Sequence, residues 1–499
     1  MATFSLKKVI DELRRRIPCE VVGDIGEVEA VGVTADSRKV RKGFIFVAVA
    51  GVTTDGHRFI PDAVKSGAVA VVANRGARLE LPQSVPVVLV EDSREALVVL
   101  LNLFLGDPPE KLFAVTGTNG KTTVTHLLWH IFSAAGERAG VIGTLGYILD
   151  DGTRVKLPVT TPGAESLWEI LHLMRQRGIS AVSMEASSHG IDQKRVWGLK
   201  FSSAIFTNLT QDHLDYHGDM DAYLDAKARL FEWLAPDAVA VVNIDDPASE
   251  RIISRNRGKL VTYSLENPSA DVRANPIRMD FDGSEFEIET PWGKFAVRTH
   301  LPGRFNVYNV TAAAVSALAT GFAPESVLAG IENFHGVRGR FQRIRIGQPF
   351  EVIVDYAHTP DALRNLIITA RELTPGRVIV VFGAGGDRDP KKRPLMGEIA
   401  TTLADFVVIT SDNPRTEDPE RIIDMIVEGV RSDNFVRISD RKAAIFEAIS
   451  MAKPGDTVLI AGKGHEDYQI LGDKVIHFDD AEVAEEAIRS LVLRKDVRG

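Results

Sequence analysis

The chain has 499 residues, of which 44% are apolar and 25% charged, a composition typical of soluble globular proteins rather than of disordered or fibrous ones. Its formal net charge of −9 excludes binding of nucleic acid or an anionic membrane by bulk positive charge, so anionic ligands must be bound by local groups. The single cysteine, Cys19, excludes an intramolecular disulfide and a multi-thiolate metal site. The N-terminal residues lack a signal-peptide pattern, and the longest apolar run, Ala96–Leu105, is about half the length of a membrane span. We therefore expect a cytoplasmic protein without membrane insertion.

The pattern along the chain predicts an α/β protein of three domains, at residues 1–107, 108–336 and 337–499. Two prolines after Asp107 indicate a linker, and Gly336–Gly339 marks the second boundary. In the last section, apolar strands alternate with helical stretches, which predicts a mostly parallel sheet covered on both faces. The predicted strands there are Val378–Phe382, Phe406–Ile409 and Val458–Ala461, and the predicted helices lie near Leu395–Thr402, Glu420–Val430 and Arg441–Ala452.

Residues Ala114–Thr123 read as a phosphate-binding loop, in which an apolar strand leads through a glycine-containing turn into Lys-Thr-Thr and a helix. Gly117 and Gly120 let backbone N–H groups approach phosphate oxygens at the positive end of that helix. Lys121 can reach the β- and γ-phosphates, and the hydroxyl of Thr122 can ligate magnesium. A valine stands where the general pattern has its first glycine, so the loop is a variant of that pattern. The alternative is a glycine-rich strand–helix turn with an incidental lysine.

Candidate magnesium ligands follow two further strands of the central section. Glu185 ends the predicted strand Ala181–Met184, and a carboxylate at a strand end beside a phosphate loop is where magnesium needs an oxygen ligand. Asp212, His213 and Asp215 follow the next strand closely. A solvated loop that caps the following helix is the alternative for this second cluster.

Together, six strings in all three sections resemble the Mur ligase family, and the resemblance extends over essentially the whole chain. The strings are Thr-Gly-Thr-Asn-Gly-Lys-Thr-Thr from Thr116, Glu-Ala-Ser-Ser-His-Gly from Glu185, Thr-Asn-Leu-Thr-Gln-Asp-His-Leu-Asp-Tyr-His-Gly from Thr207, Leu-Pro-Gly-Arg-Phe-Asn-Val-Tyr-Asn from Leu301, Asp-Tyr-Ala-His-Thr-Pro from Asp355 and Gly-Lys-Gly-His-Glu-Asp from Gly462.

The resemblance implies an N-terminal domain that binds a UDP group, a central phosphate-loop ATPase domain and a C-terminal Rossmann-like domain that binds an amino acid. It implies an ATP site formed by Gly117, Thr118, Asn119, Gly120, Lys121, Thr122, Thr123, Asn306, Asn309, Arg340, Asp355 and His358. It implies a UDP-precursor site formed by Ser37, Thr53, Thr54, Thr160, Thr161, Ser187, Gln193 and Arg195. The family's usual Asn-Thr-Thr is Val159-Thr-Thr here, so one side-chain amide contact is missing.

The resemblance also implies four residues that act in catalysis, namely Lys121, Glu185, His213 and Lys227, and magnesium ligands at Thr122, Glu185, His213 and Lys227. Lys227 would serve as a carbamate, because carbamylation turns the cation into an anion that can bind a magnesium ion. The pattern alone predicts for Lys227 an ordinary solvated lysine on the helix Asp219–Leu234.

An acceptor site is predicted in the third section on physical grounds. Each of its apolar strands is followed by a polar loop, and such loops share one edge of a parallel sheet, where ligands bind. The residues expected there are Arg388, Asp412, Asn413, Pro414, Arg415, Gly462 and Glu466. Diaminopimelate differs from lysine by a distal carboxylate, which an arginine binds bidentately. Asp412-Asn-Pro-Arg415 also resembles the diaminopimelate-type signature of the family. The alternative is a turn and cap before the helix at Glu420.

The function implied is an ATP- and magnesium-dependent ligase, acting as a monomer, that adds meso-diaminopimelate to a UDP-linked muramoyl dipeptide through an acyl phosphate. The alternatives are the same reaction with L-lysine, a ligase resembling folylpolyglutamate synthetase, and a non-catalytic protein gated by ATP. The section that precedes the phosphate loop, with its Asp-Ser-Arg string from Asp36, argues against the folylpolyglutamate synthetase type.

Overall fold

The computed structural model describes residues 3–51, 54–77 and 84–496, with side chains described to residue 491. In the first section these residues form a five-stranded sheet of order β2-β7-β6-β5-β4, in which only the β2–β7 pair is antiparallel, and a two-stranded β1–β3 ladder. The elements are β1 Phe4–Ser5, α1 Leu6–Arg16, β2 Cys19–Val22, β3 Glu29–Ala30, β4 Gly32–Thr34, β5 Phe44–Val47, α2 Ile60–Lys65, β6 Ala70–Asn74, β7 Val87–Val90 and α3 Ser93–Leu105.

The central section has an eleven-stranded sheet in the described part of the chain, of order β11-β10-β9-β12-β8-β13-β14-β15-β16-β17-β18. Its middle, from β9 to β16, is parallel, and hairpins extend both ends. The strands are β8 Lys111–Thr116, β9 Ala139–Gly143, β10 Gly146–Ile148, β11 Arg154–Val155, β12 Ala181–Glu185, β13 Ser203–Phe206, β14 Val239–Asn243, β15 Lys259–Ser264, β16 Val272–Asp280, β17 Gly283–Thr290 and β18 Gly293–Thr299. The helices are α4 Lys121–Ala134, α5 Ala164–Gln176, α6 Ser188–Asp192, α7 Leu214–His217, α8 Met220–Glu232, α9 Ser249–Arg255, α10 Arg304–Ala319 and α11 Pro324–Glu332.

The third section contains a six-stranded sheet, again counted over the described residues, of order β19-β20-β24-β21-β22-β23. All its pairs are parallel except β19–β20. The strands of this sheet are β19 Gln342–Arg343, β20 Glu351–Asp355, β21 Val378–Phe382, β22 Phe406–Ile409, β23 Phe435–Arg437 and β24 Thr457–Ala461. A separate antiparallel hairpin is formed by β25 Tyr468–Leu471 and β26 Lys474–His477. The helices are α12 Pro360–Leu373, α13 Lys392–Leu403, α14 Pro419–Val427, α15 Arg441–Met451 and α16 Asp480–Asp496.

These elements confirm the predicted α/β class and the mostly parallel sheet of the third section. The central strands of that sheet are fully buried because helices cover both faces, which is why they read as continuous apolar runs. The first and central sections share one apolar core, in which α3 packs against α5. In the part of the chain that the structure describes, no helix is both long and apolar enough to span a membrane.

Candidate active site

The phosphate loop lies between β8 and α4 and is shaped by glycine. Gly120 precedes the helix with φ of 88°, and a side chain there would collide with the amide oxygen of Asn309. The position therefore requires glycine for both its backbone and its space. Lys121 folds back over the loop, and its ammonium donates to the carbonyl oxygens of Gly117 at 2.9 Å and Thr118 at 2.8 Å.

A cavity of about 500 Å³ opens beside this loop and brings together residues from the central and third sections. The predicted residues that line it are Thr118, Asn119, Gly120, Lys121, Thr122, Thr123, Thr160, Glu185, Ser187, His213, Lys227, Asn306, Asn309, Arg340, Asp355 and His358. The backbone N–H groups of its phosphate loop, together with the many polar side chains in its lining, suit a nucleoside triphosphate.

The sequence analysis missed several residues that line the same cavity, among them Thr144, Asn243, Tyr308 and Asp361. Asn243 ends β14, two strands from β8 in the same parallel sheet, so the strand-end rule that indicated Glu185 would also have found it. The other three carry no such signal, because they reach the cavity only through the packing of separate elements.

Glu185 is held in place by the hairpin that follows β9. Its carboxylate accepts hydrogen bonds from the backbone N–H of Thr144 at 2.8 Å and from the Thr144 hydroxyl at 3.0 Å, and the residue is 1% exposed. Any side chain on Gly143 would occupy the space of this carboxylate. The two hydrogen bonds leave lone pairs of the carboxylate oxygens free for a further ligand.

Lys227 lies inside the protein, and the pattern-based prediction of a solvated helix-face lysine is wrong. It is 1% exposed, donates to the carbonyl oxygen of Gly117 at 2.9 Å, and lies 4.3 Å from the ring centre of Tyr223. Burial, followed by the positive charge of Lys121, lowers the pKa of Lys227 well below its ordinary value. A lowered pKa favours the neutral amine, which is the reactive form of a lysine side chain.

His213 adopts a left-handed backbone conformation with φ of 54°, which turns its ring toward His189, with ring centres 4.8 Å apart. Burial lowers the pKa of His213 to about 4, against the opposing charge of Asp212. The imidazole is therefore neutral near pH 7 and able to act as a ligand.

Residues of the third section reach directly across to the phosphate loop. The guanidinium of Arg340 donates to the hydroxyl of Thr122 at 3.2 Å and lies 4.6 Å from the ring centre of Tyr356. The side chain of Asn119 donates to Asp361 at 3.2 Å. Asp355 accepts backbone hydrogen bonds from the segments on both sides of it, and burial raises its pKa. Two sections therefore build the cavity jointly.

The residues implied for the UDP-precursor site fall into two groups. In the central section, the hydroxyl of Thr161 lies 3.0 Å from that of Ser187, and Arg195 donates both to the carbonyl oxygen of Thr161, at 2.6 Å, and to the side chain of Gln193. The hydroxyl of Thr160 lies 3.1 Å from that of Thr144. The second group is on the first section, where Ser37 begins a short 3-10 helix and Thr54 is exposed, while Thr53 lies outside the described residues.

The predicted acceptor residues converge at the carboxyl edge of the C-terminal sheet. The amide of Asn413 donates to the carboxylate of Glu466 at 2.7 Å, although 53 residues separate them. A Cβ on Gly462 would lie 2.5 Å from a carboxylate oxygen of Asp412, so this glycine leaves room for the carboxylate. Burial, followed by the charge of Asp412, raises the pKa of Glu466. Two carboxylates at this edge provide sites for an ammonium group.

Two arginines lie at the same edge. Arg415 donates to the carbonyl oxygen of Gly386 at 2.6 Å, and Arg388, which is exposed, is on the loop that contains this glycine. Arg415 has a φ of 53°, and its backbone pairs with the β25 hairpin at Leu471. The cap before α14 is present in this segment, but the capping residue is Asp418 and not Arg415. Pro414 packs against Gly386, where a side chain would collide with the proline carbonyl oxygen.

The central parallel sheet carries a phosphate loop, and the loops of the second parallel sheet carry paired carboxylates and arginines. This combination defines a nucleotide-dependent enzyme of the multidomain α/β class. Family models match most of the chain: "Mur ligase family, catalytic domain" at residues 29–105, "Mur ligase middle domain" at 115–317 and "Mur ligase, glutamate ligase domain" at 339–464. The chain belongs to the Mur ligase family.

Three relatives illustrate the similarity. The UDP-N-acetylmuramoyl-L-alanyl-D-glutamate--2,6-diaminopimelate ligase of Geobacillus kaustophilus is 46% identical over 474 residues, 93% of this chain and 96% of that protein. A solved structure of a ligase of the same name has a TM-score of 0.72 at 36% identity, covering 98% of this chain and 99% of the other. The MurF ligase of Thermotoga maritima, solved in complex with ADP, shares the fold, with a TM-score of 0.60 at 20% identity over 93% of this chain and 98% of that one.

Proposed function

We propose that this chain is an ATP-dependent ligase that joins meso-2,6-diaminopimelate to the D-glutamate of UDP-N-acetylmuramoyl-L-alanyl-D-glutamate in the cytoplasm, during synthesis of the peptidoglycan precursor. One observation carries the proposal. In the C-terminal sheet, Asp355 pairs in register with Ala461, which pairs with Phe382. The cavity residue Asp355 and the loops that begin at Gly383 and Gly462 therefore start from the same sheet edge. Nucleotide and acceptor sites next to each other are what a phosphate-activated ligation requires.

The assignment of residues to subsites is part of this proposal. We assign to the nucleotide the phosphate loop with Asn306, Asn309, Arg340, Asp355 and His358, because they border one cavity. We assign Ser37, Thr53, Thr54 and the network of Thr160, Thr161, Ser187, Gln193 and Arg195 to the UDP-precursor. We place the domain boundaries after residues 107 and 336, since the first falls between α3 and β8 and the second between α11 and β19.

We propose the C-terminal loops as the diaminopimelate site. The carboxylates of Asp412 and Glu466 and the amide of Asn413 suit an amino acid's ammonium group, and Arg388 and Arg415 suit its carboxylates. A Cβ on Gly385 would lie 2.9 Å from a guanidinium nitrogen of Arg415 and 3.9 Å from the side chain of Arg388, so both arginines border the same glycine. A pocket that only held the end of a lysine would have no use for two guanidinium groups.

Magnesium is the expected cofactor, and the donor set fits it once the nucleotide is counted. Among the described residues, no group of three or more His, Cys, Asp and Glu side chains forms a metal cluster. Magnesium, however, is usually held by one or two carboxylates together with substrate phosphates. Thr122, Glu185 and His213 line the phosphate cavity, and a carbamate on Lys227 would add an anion there. When bound, magnesium would neutralise charge on the β- and γ-phosphates.

The chemistry follows from this placement. The D-glutamate side-chain carboxylate attacks the γ-phosphorus, its oxygen bonds to phosphorus, and the bond to the bridging oxygen breaks as ADP leaves. The acceptor amine then attacks the acyl carbon of the acyl phosphate, loses a proton to solvent and displaces inorganic phosphate. Lys121 provides positive charge to the transferring phosphate, and positioning by the cavity supplies much of the rest.

The deciding assay is phosphate release by the purified protein with the UDP-linked dipeptide, ATP, magnesium and a panel of amino acids. Release that requires the dipeptide and diaminopimelate together is expected. Equal or better use of L-lysine would select the lysine alternative, and use of a folate substrate would select the folylpolyglutamate synthetase type. Nucleotide binding without release of phosphate under any condition would identify an ATP-gated binding protein.

A further inference from the structure

Lys392 is a partly buried lysine that neither the nucleotide site nor the acceptor site described above includes. It is the first residue of α13, is partly buried, and donates from its ammonium group to the carbonyl oxygen of His358 at 3.0 Å. His358 lines the nucleotide cavity. The side chain of Lys392 thus extends from the acceptor-side loop to the wall of the ATP site.

Helix stability does not account for this lysine. The first turn of α13 contains no acidic residue, and the residue at the N-cap, Lys391, makes no side-chain capping bond. A positive charge in the first turn opposes the helix dipole, so Lys392 costs α13 stability instead of adding it. Burial adds a second cost, and burial is the main cause that lowers the pKa of Lys392.

The charges around Lys392 come from both proposed substrate sites. Asp212, from the nucleotide side, and Asp412 and Asp389, from the acceptor side, favour its charged form through their field and not through a hydrogen bond. The three carboxylates therefore compensate the ammonium charge without neutralising it in a contact ion pair. A cation in this state can still offer hydrogen bonds to an anion that arrives between the two sites.

We propose that Lys392 is a further catalytic residue, whose ammonium group binds the transferred phosphate between the ATP cavity and the acceptor loops and stabilises it as the leaving group of the acyl phosphate. The inference rests on the proposed ligase function. In the step concerned, the amine nitrogen bonds to the acyl carbon, the bond from that carbon to the phosphate oxygen breaks, and the phosphate takes the electron pair. Lys392 would hold the negative charge that develops on this phosphate.

Three substitutions separate the charge from the hydrogen bond. Lys392→Met removes both, Lys392→Gln keeps an N–H donor for the His358 carbonyl but removes the charge, and Lys392→Arg keeps the charge. We expect the Met and Gln variants to lower kcat by about 100-fold, while KM for ATP and for diaminopimelate changes less than about threefold. The Arg variant should have a kcat within about tenfold of the wild type. Lys391→Gln, at the exposed neighbouring lysine, is the matched control and should leave kcat within about twofold.

The result that overturns the inference is a Lys392→Gln variant with near wild-type kcat, because it would show that only the hydrogen bond matters. A loss confined to KM for diaminopimelate would also overturn it, since that indicates an acceptor-binding role. If Lys392→Met does not fold by circular dichroism, the comparison of Gln with Arg decides. A wild-type protein without ligase activity would instead refute the proposed function, so the two failures are distinguishable.

Discussion

Lys121 and Lys227 donate to the same atom, the carbonyl oxygen of Gly117, each at 2.9 Å. One lysine belongs to the phosphate loop and the other to α8, more than a hundred residues further along the chain. Two ammonium groups so close together repel each other, and the charge of Lys121 contributes to the lowered pKa of Lys227. Burial lowers the pKa of Lys121 as well, so the site disfavours two positive charges side by side, and carbamylation of Lys227 would replace the repulsion by attraction.

Replacing Lys121 with alanine should abolish ATP turnover, with a fall of about 100-fold or more, because it removes the cation nearest the transferring phosphate. The measurement is dipeptide-dependent phosphate release, with circular dichroism as the test of folding. Lys111→Ala is a suitable control, since this half-exposed lysine begins β8 and pairs with Glu137 away from the loop. Normal turnover by a folded Lys121 variant would refute the phosphate-loop assignment.

Replacing Lys227 with alanine should lower the ligase activity about as much as replacing Lys121. Small carboxylates such as acetate should restore part of this activity. The reason is that the proposed carbamate supplies a negative charge for magnesium, which a free carboxylate can replace in the space left by the side chain. Activity is measured with and without acetate, and the wild type is assayed after bicarbonate depletion. An active wild type whose lysine is unmodified by native mass spectrometry would contradict the carbamate.

Replacing Arg415 with alanine should weaken the use of diaminopimelate by about 1.5–3 kcal/mol, roughly ten- to over a hundredfold in kcat/KM, because a charge-assisted contact to the distal carboxylate is lost. Lysine lacks that carboxylate, so it should be a poor substrate of the wild type, and the variant should discriminate less between the two amino acids. The KM values for ATP and the UDP-precursor should hardly change.

The measurement is kcat/KM for both amino acids in both proteins. Arg421→Ala, on α14 a few residues further along, tests whether any loss of positive charge near this edge has the same effect. If the ratio of kcat/KM for diaminopimelate to kcat/KM for lysine is the same in both proteins, Arg415 has only a structural role, as the donor to the carbonyl oxygen of Gly386.

Replacing Glu417 with glutamine should lower the free energy of unfolding by about 2 kcal/mol at pH 7. The substitution breaks the bidentate ion pair with Arg393, whose side chain is 1% exposed. Arg393 lowers the pKa of Glu417 to about 2 from its ordinary 4.5. A carboxyl group with a lowered folded-state pKa stabilises the fold above its ordinary pKa, and this stabilisation is lost as the pH falls toward 2.

Urea midpoints of wild type and variant, measured between pH 7 and pH 3, check this prediction. The difference in urea midpoint between wild type and variant should be largest at neutral pH and shrink below about pH 4.5. Glu420→Gln is the matched control, because its partner Arg437 and Glu420 itself are both more than a third exposed, and its effect should stay within about 0.5 kcal/mol. A difference that grew as the pH fell would contradict the ion-pair explanation.

Much of the fold and the nucleotide site could be predicted from short, contiguous stretches of the sequence. The strands Val378–Phe382 and Phe406–Ile409 have the predicted bounds, because buried parallel strands are continuous apolar runs between turn residues. The phosphate loop was recognisable for the same reason, since its glycines, lysine and threonine act through backbone that is contiguous in sequence. Likewise, the strand-end rule indicated Glu185, Asp412 and Glu466 before any contact was known.

Other features depend on residues distant in sequence and had no local signal. The burial of Lys227 results from α8 packing against the Gly117 carbonyl, and helical spacing alone predicts a solvated lysine there. The left-handed backbone of Arg415 is held by the β25 hairpin, more than fifty residues away. Lys392 meets His358 only because α13 packs against α12, the helix that follows His358. Hydrophobic periodicity records which face of an element is buried but not which partner buries it, so contacts between sections arise only from the folded arrangement.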